Sequence, residues 1–556
     1  MARTELTGLL RRIHAAYRLS QATGVPVDEV FEQQRLTRAH FLAQTACAGV
    51  SLALAGCGGP IQTSAQNGAK SGRTEASNVR IAIIGGGLAG VTCAYRLRQS
   101  GIASTIYEAG GGLGGRTWTL RGFFDEGQTA ENGGEFISSE HIATRKLVSE
   151  LGLNLDDLRA WDERQHTGGD IYWHGGQRYP VKQMLADYGA VFPKLEQANA
   201  AAGTTRYDRY TKAGYRLDHT STREWIDHNV PGGLSSRLGW LLDIDATTEN
   251  GGESSEQNAL ELIYMLASMP SLNPKGGFYI VGTDERYRVR EGNDQMVARM
   301  ARTLPADSFN VGVRLQALRK RPDGSYICTF SQAQRTFDAR FDHVVLALPF
   351  KTLRDCDLAQ AEFSPVKLKA ITRLPMGTNT KLHVQFKRRL WLEQGSNAAT
   401  YSDTGYQQSW EDTRAQAGTA GVLLEYNGGH LGASWDAPSF GPASPAAVQR
   451  FLKQIEPVYP GIGALFNGKA FFGNWPKDRW HRGSYSYWGL GDCTSFVGIE
   501  PVRQGNVHFC GEHCSLEFGG FMNGAVETGE SAAHEIVADV KGAAAAAADL
   551  RQRHAV

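Results

Sequence analysis

The sequence has no surplus of either charge. Its 58 lysines and arginines face 57 aspartates and glutamates, so no basic field exists to hold a phosphate backbone, and no nucleic-acid partner is expected. Cysteine is sparse: eight in 556 residues, with no C-x-x-C pair and no spacing suited to zinc. Cys510 and Cys514 stand four apart around His513, but a strand, a turn and a helix start account for that region, and no metal site is expected. No apolar run is long enough to cross a bilayer comfortably. No internal repeat is apparent. The 65 glycines show no collagen-like period; they gather in a few motifs. A chain of this length buries large cores and usually forms more than one domain.

Residues 1–57 read as an N-terminal extension. The first 40 are polar and basic, with an amphipathic helix expected from about Glu5 to Leu19. Phe41-Leu42 then opens an apolar, small-residue run that resembles the hydrophobic region of a bacterial export signal. Leu54-Ala55-Gly56-Cys57 resembles a lipoprotein cleavage box, which would put a lipid anchor at Cys57. Thr37-Arg38-Ala39-His40-Phe41-Leu42 resembles a twin-arginine motif, with Ala39 where the second arginine belongs. The expectation is an exported, periplasmic or lipid-anchored protein. The alternative is an uncleaved helical extension on a cytoplasmic one. Residues 58–78, rich in Gly, Ser, Ala and Gln, read as a linker.

The most specific motif follows. Ile81-Ala82-Ile83-Ile84 suits a buried strand and leads directly into Gly85-Gly86-Gly87-Leu88-Ala89-Gly90, a G-x-G-x-x-G turn. Gly85 allows the tight turn, Gly87 lets backbone approach a pyrophosphate, and Gly90 lets helix and strand pack closely. The helix that opens at Leu88 and Ala89 presents unpaired N–H groups to phosphates. A second strand, Ser104 to Tyr107, ends at Glu108, where a carboxylate accepts hydrogen bonds from an adenosine ribose.

A second glycine loop, Gly110 to Gly115, follows at once and ends in Arg116, whose planar donors suit a diphosphate. A nicotinamide enzyme has no need of this loop; a cofactor that stays bound does. Glu131-Asn132-Gly133-Gly134-Glu135-Phe136-Ile137 is a third glycine turn. Near the C-terminus, Val507 to Cys510 reads as a strand, Gly511-Glu512 as an acidic turn, and Gly519-Gly520-Phe521-Met522-Asn523-Gly524-Ala525 as a glycine-rich helix start that can sit under a flavin.

With these motifs in this order, the chain resembles the flavin-containing amine oxidase family, which includes monoamine, polyamine and L-amino acid oxidases. The resemblance runs from about Val79 to Val540, with bacterial L-amino acid oxidase-like members nearest. It implies an α/β fold: a discontinuous Rossmann-like FAD-binding domain at 79–150, 285–365 and 490–540, and an α+β substrate domain at 151–284 and 366–489, with a helical part and a mixed sheet. Residues 541–556 would be a tail. His343 to Pro349, a buried-strand run ended by proline, is a family element.

The resemblance also assigns roles. The FAD contacts would be Gly85, Gly87, Leu88, Ala89, Gly90, Glu108, Gly115, Arg116, Gly133, Gly134, Glu135, Phe136, Val313, Gly511, Glu512, Gly520, Phe521, Met522 and Ala525. Lys381, in Pro375-Met-Gly-Thr-Asn-Thr-Lys381, would hydrogen-bond a water beside the flavin and help dioxygen reoxidise it. Trp475, Tyr485 and Phe521 would wall the amine site. Ser484 stands where members with covalent flavin carry cysteine, which implies non-covalent FAD. The expected chemistry is oxidation of a carbon–nitrogen bond, with oxidative deamination of an L-amino acid to a 2-oxo acid, ammonia and hydrogen peroxide as the first reading. Phe136 weakens it, because many L-amino acid oxidases place an arginine there; Arg482 is then a candidate for pairing with substrate carboxylate. A primary amine oxidase is the alternative, and a flavin-binding interaction scaffold a third. A small-molecule amine or amino acid, dioxygen and a second copy of the chain, as a dimer, are the expected partners.

Overall fold

The structure is a computed structural model that describes residues 5–33, 79–268 and 284–542. The expected export signal at 37–57, the anchor at Cys57, the linker at 58–78 and all but the first two residues of the tail lie outside the described residues.

The fold is α/β. A five-stranded parallel sheet runs in the order Val507–Phe509, His343–Leu346, Ile81–Ile84, Thr105–Glu108, Phe309–Val311. Its central strand is apolar at all four positions because both of its faces are covered. Successive side chains point to opposite faces. Ile81 and Ile83 join a core with the helices Leu88–Gln99 and Met522–Lys541, while Ala82 and Ile84 join a core that includes the three-stranded antiparallel sheet 313–341. The two helices meet closely at Gly529: a Cβ there would lie 2.4 Å from the Ala89 carbonyl oxygen.

A second, eight-stranded mixed sheet draws Ile171–His174 and Gln177–Arg178 from one excursion and six strands from the other. The two sources join where Thr400–Ser402 runs parallel to Ile171–His174. Its third strand, Thr380–Phe386, is buried throughout, pairs antiparallel with Gly421–Asn427 and Phe466–Gly473, and carries Lys381. Helices between 181 and 267 form the remaining layer.

The N-terminal helix, Glu5–Thr23, belongs to that helical layer. Leu6, Leu9, Leu10, Ile13 and Ala16 recur at helical spacing and are all buried, in one core with Tyr188, Phe192, Leu241, Leu262 and Leu266. Polar contacts fix its register. His14 Nε2 lies 2.7 Å from Glu196, Arg18 donates to Glu196 and to the Ala267 carbonyl, and the Tyr17 hydroxyl donates to the Leu185 carbonyl. Burial holds the His14 imidazole at about 4 despite Glu196, so it sits neutral near pH 7. The expected helix is present and four residues longer. Residues 5–33 are therefore part of the folded body, whatever the fate of 37–57.

This packing generates a prediction. A chain that begins at Cys57 loses nine buried apolar side chains from residues 5–33, Leu6, Leu9, Leu10, Ile13, Ala15, Ala16, Leu19, Val30 and Phe31, on the order of 10 kcal/mol of burial or more, as much as a typical domain's entire stability. It should melt at least 10 °C below the full chain or fail to accumulate as soluble protein. Equal melting temperatures by circular dichroism would show that the helix is dispensable.

Candidate active site

The strand Ile81–Ile84 delivers the first glycine turn to the lining of a cleft. Gly85 has φ +109°, and a Cβ there would sit 2.7 Å from the Ala347 carbonyl oxygen. A Cβ on Gly87 would meet nothing nearer than 4.0 Å, so the backbone is bare at the cleft. Gly87 caps the following helix without a side-chain hydrogen bond, which leaves the first-turn N–H groups at Leu88 and Ala89 for an anionic group. Gly90 does not line the cleft; its missing Cβ lets the helix approach Gly85, whose carbonyl oxygen would lie 2.1 Å from that atom. The second glycine loop lies on the first: Gly114 N–H donates to the Gly86 carbonyl. Glu108 accepts from the N–H groups of Gly86 and Gly110, at 2.7 and 2.5 Å. A carboxylate has about four acceptor positions, so two remain for ribose hydroxyls.

Gly115, Val313, Gly511, Glu512, Gly520, Met522 and Ala525 line the same cleft. Arg116 Nη1 donates to the Ser484 carbonyl at 2.8 Å and to Glu512 at 2.6 Å. Burial alone would raise the Glu512 carboxyl, but the charges of Arg116 and His513 and hydrogen bonds from Arg116 and Ser486 bring it to about 2. The ionised group then holds the Gly520 N–H and the Ser486 hydroxyl, fixing both sides of the helix start. Bare backbone, free helix N–H groups, an acid at the ribose distance and an arginine together fit a dinucleotide cofactor.

A second cavity opens from the first; Arg116, Gly134, Ser484, Tyr485, Gly520, Phe521 and Met522 line both. Lys381, Trp475, Tyr485 and Phe521 are brought together here, as the sequence leads one to expect. Gly133, Glu135 and Phe136, expected on the cofactor, line this second cavity instead. The third glycine turn crosses from one cavity to the other, and only Gly134 borders both.

Lys381 is held differently from the expectation. Its ammonium donates to the Glu131 carbonyl at 2.8 Å, the Gly133 carbonyl at 3.0 Å and Glu135 Oε2 at 2.9 Å. An ammonium has three protons, so a hydrogen bond to water requires one of these to open. Burial and the Asp412 charge raise the Glu135 carboxyl to about 7 although Lys381 lowers it. Trp410 Nε1 donates to the same carboxyl. Arg482, the candidate clamp for a substrate carboxylate, lines the cofactor cleft rather than the second cavity, in a bidentate pair with Asp355 at 2.8 and 2.9 Å. Ser484 Oγ donates to Asn379.

Several lining residues escape a reading of the sequence: Thr248, Glu249, Glu285, Gln408, Trp410 and Tyr426. Gln408 lies opposite Tyr426 across two paired strands, and Glu249 comes from the helix Arg237–Asn250. No local motif marks them. The Tyr426 and Tyr485 hydroxyls are 2.8 Å apart, and the Trp410 and Tyr426 rings 5.0 Å.

Comparison with known proteins gives a consistent result. A family model described as flavin containing amine oxidoreductase matches residues 88–537. The L-amino acid dehydrogenase of Synechocystis sp. is 22% identical over 465 residues, covering 82% of this chain and 94% of its own. Among solved structures, cyclohexylamine oxidase from Brevibacterium oxydans superposes with a TM-score of 0.70 at 22% identity, covering 83% of this chain and 99% of that one. Wild-type putrescine oxidase bound to putrescine gives 0.67 at 20% identity, with the same coverage.

The turn that carries Lys381's acceptors has its own pH dependence. Burial pushes the Glu131 carboxyl up to about 8, against the Arg288 charge and a hydrogen bond from the Asn293 N–H. The native state therefore holds a proton there that the unfolded chain, near 4.5, releases. The associated stability is complete below about pH 4.5 and is lost as pH rises through about 8. In Glu131→Gln this dependence is absent. The melting temperature of the variant minus that of the parent should rise between pH 5 and 8 and then level off. A constant difference across that range would show that Glu131 is already ionised in the native state.

Proposed function

The chain belongs to the flavin containing amine oxidoreductase family, and from that premise we propose that it oxidises an amine carrying a second cationic group, with dioxygen as the oxidant and water consumed, giving an aldehyde, ammonia and hydrogen peroxide. One observation carries this reading. Glu249 and Glu285 line the second cavity, and the lysine and arginine that line it among the described residues, Lys381 and Arg116, are each paired with a protein carboxylate. A carboxylate entering the cavity would lose its water without gaining a cation, which is costly. An ammonium would meet acids.

The bound cofactor in this reading is FAD. The two stacked glycine loops and Glu108 suit the adenosine diphosphate half, and serine at 484 offers no thiol for a covalent link. A bound flavin supplies a hydride acceptor for the carbon next to nitrogen. The protein supplies the rest. Trp410, Tyr426, Tyr485 and Phe521 present apolar surface that excludes water from the reacting end. Glu249 and Glu285 hold the distant ammonium, so the reacting nitrogen, kept neutral, is presented at a fixed distance. The released imine hydrolyses to the carbonyl product. Acid precipitation should leave the yellow chromophore in the supernatant; colour retained in the pellet would contradict non-covalent binding.

A second reading, oxidation of an L-amino acid, draws support from the Synechocystis relative's name. It requires Arg116 or Lys381 to leave its present partner. Steady-state kinetics with 1,4-diaminobutane, butylamine and ornithine separates the two. Loss of one member of a buried charge pair costs about 2–5 kcal/mol, roughly 30- to several-thousand-fold in kcat/KM. The diamine should exceed butylamine by at least about 30-fold, and ornithine should be the poorest. Ornithine preferred over the diamine would overturn the assignment.

A further inference from the structure

The last turns of the helix Met522–Lys541 cover a cluster of titratable groups that neither cavity uses. Strand register assembles it. In the parallel sheet Val345 is the partner of His508, and His343 stands two residues before Val345, so both imidazoles project from the same face. Val345, Ile536 and Val537 share one core, so that face is the one the helix covers. The helix adds Glu535 and Asp539, four residues apart and therefore on one side of it. His343 Nδ1 lies 3.1 Å from His508 Nε2 and 4.0 Å from Asp539 Oδ2, and these three ligand atoms all lie within 4.8 Å of one another. His508 Nδ1 meets Glu535 Oε2 at 2.5 Å. The ring therefore donates from Nδ1 to the carboxylate and, when neutral, keeps a lone pair on Nε2, the atom that faces His343. No local spacing marks this grouping in the sequence, because three separate elements supply it.

We propose that His343, His508 and Asp539 form a divalent-metal site, with zinc the ion they suit best. Two imidazoles and one carboxylate are a zinc donor set. Around zinc, with bonds of about 2.0–2.1 Å, tetrahedral ligand atoms stand roughly 3.3 Å apart. The two nitrogens are already near that separation, and Asp539 has to close by less than about 1 Å. Glu535 is the outer carboxylate that orients a ligating imidazole and fixes its tautomer. The histidines are buried and Asp539 is exposed, so an ion enters from the Asp539 side. Arg503 Nη1 pairs with Asp539 Oδ2 at 2.7 Å; a carboxylate has about four acceptor positions, so this pair and ligation are compatible. The 3.1 Å contact also suits a hydrogen bond from His343 Nδ1–H to His508 Nε2, and ligation moves that proton to His343 Nε2. Asp539 lies about 25 Å along the helix from Met522, which lines the cofactor cleft. The ion is therefore structural: it clips the end of the helix to two strands of the parallel sheet and takes no part in the oxidation.

The test uses the untagged full-length holoenzyme, stripped with a chelator and titrated with zinc sulfate. Equilibrium dialysis should show one zinc per chain, and zinc should raise the melting temperature of the parent, because an ion that binds only the folded chain stabilises it. Asp539→Ala, at an exposed position, and His343→Gln should lose both the stoichiometric ion and the thermal shift. Glu535→Gln should bind zinc about 10- to 100-fold more weakly, the usual effect of removing an outer partner of a ligand. Arg503→Gln, which removes a competing cation, should bind it at least as tightly as the parent. Three results would overturn the proposal. If the stripped parent takes up no zinc, the imidazoles are a hydrogen-bonded pair and nothing more. If Asp539→Ala and His343→Gln bind zinc with the parent's affinity and thermal shift, the ion sits elsewhere on the chain; should His343→Gln fail to fold, Asp539→Ala decides alone. If oxidation stops on stripping and returns with zinc, the ion is not merely structural.

Discussion

One buried ammonium group joins the two halves of this protein. Lys381 projects from an interior strand of the eight-stranded sheet and ends on the third glycine turn of the nucleotide-type domain, with three acceptors for its three protons. A charge removed from water is tolerated only when it is paired and fully hydrogen-bonded, and breaking such a pair from one side costs about 3–5 kcal/mol. The junction therefore has little freedom. It fixes the turn at Gly133 and Glu135, and with it the border at which the cofactor cleft and the second cavity meet. The surrounding acids are set by the same physics to opposite states. Burial would raise Asp412, but His383, Lys381 and Arg288 beside it draw it well below the usual carboxylate range. Glu131 is pushed up by burial, which outweighs the Arg288 charge. Asp412 in turn accepts from the Glu131 N–H, so the ionised and the neutral acid brace one another.

The cofactor cleft was legible in the sequence because its requirements are local. Gly85 must adopt positive φ, Gly90 must admit a neighbouring carbonyl, and Glu108 must follow the second strand; each fact concerns residues within one βαβ unit. The third turn spans both cavities: Gly134 borders the cleft and the second cavity, while Gly133, Glu135 and Phe136 line the second. The polar wall of that cavity was not legible at all. Trp410 and Tyr426 reach it through strand register, and Glu249 and Glu285 through the packing of segments far apart in sequence. Arg482 shows the converse error. It is near the aromatic-wall segment in sequence, yet its left-handed backbone, φ +58°, accompanies a side chain turned to Asp355. The amphipathic pattern of the N-terminal helix was visible, but its partner surface, assembled from residues 181–267, was not.

The proposed substrate choice rests on where the protein has already used its cations. Arg116 is committed to Glu512, which fixes the helix start, and Lys381 to Glu135, which fixes the turn. Releasing either to meet a substrate carboxylate would loosen the framework that places the cofactor. Glu249 and Glu285 line the second cavity, which supports the proposed preference for an amine over an amino acid.

A crystal structure of the holoprotein with 1,4-diaminobutane tests that account most directly. It predicts one ammonium within hydrogen-bond distance, about 2.7–3.2 Å, of a carboxylate oxygen of Glu249 or Glu285, with the other amino group among Trp410, Tyr426, Tyr485 and Phe521, and the Lys381–Glu135 pair intact. The account is contradicted if the distant ammonium contacts neither acid, or if Arg116 or Lys381 has left its carboxylate and turned into the cavity.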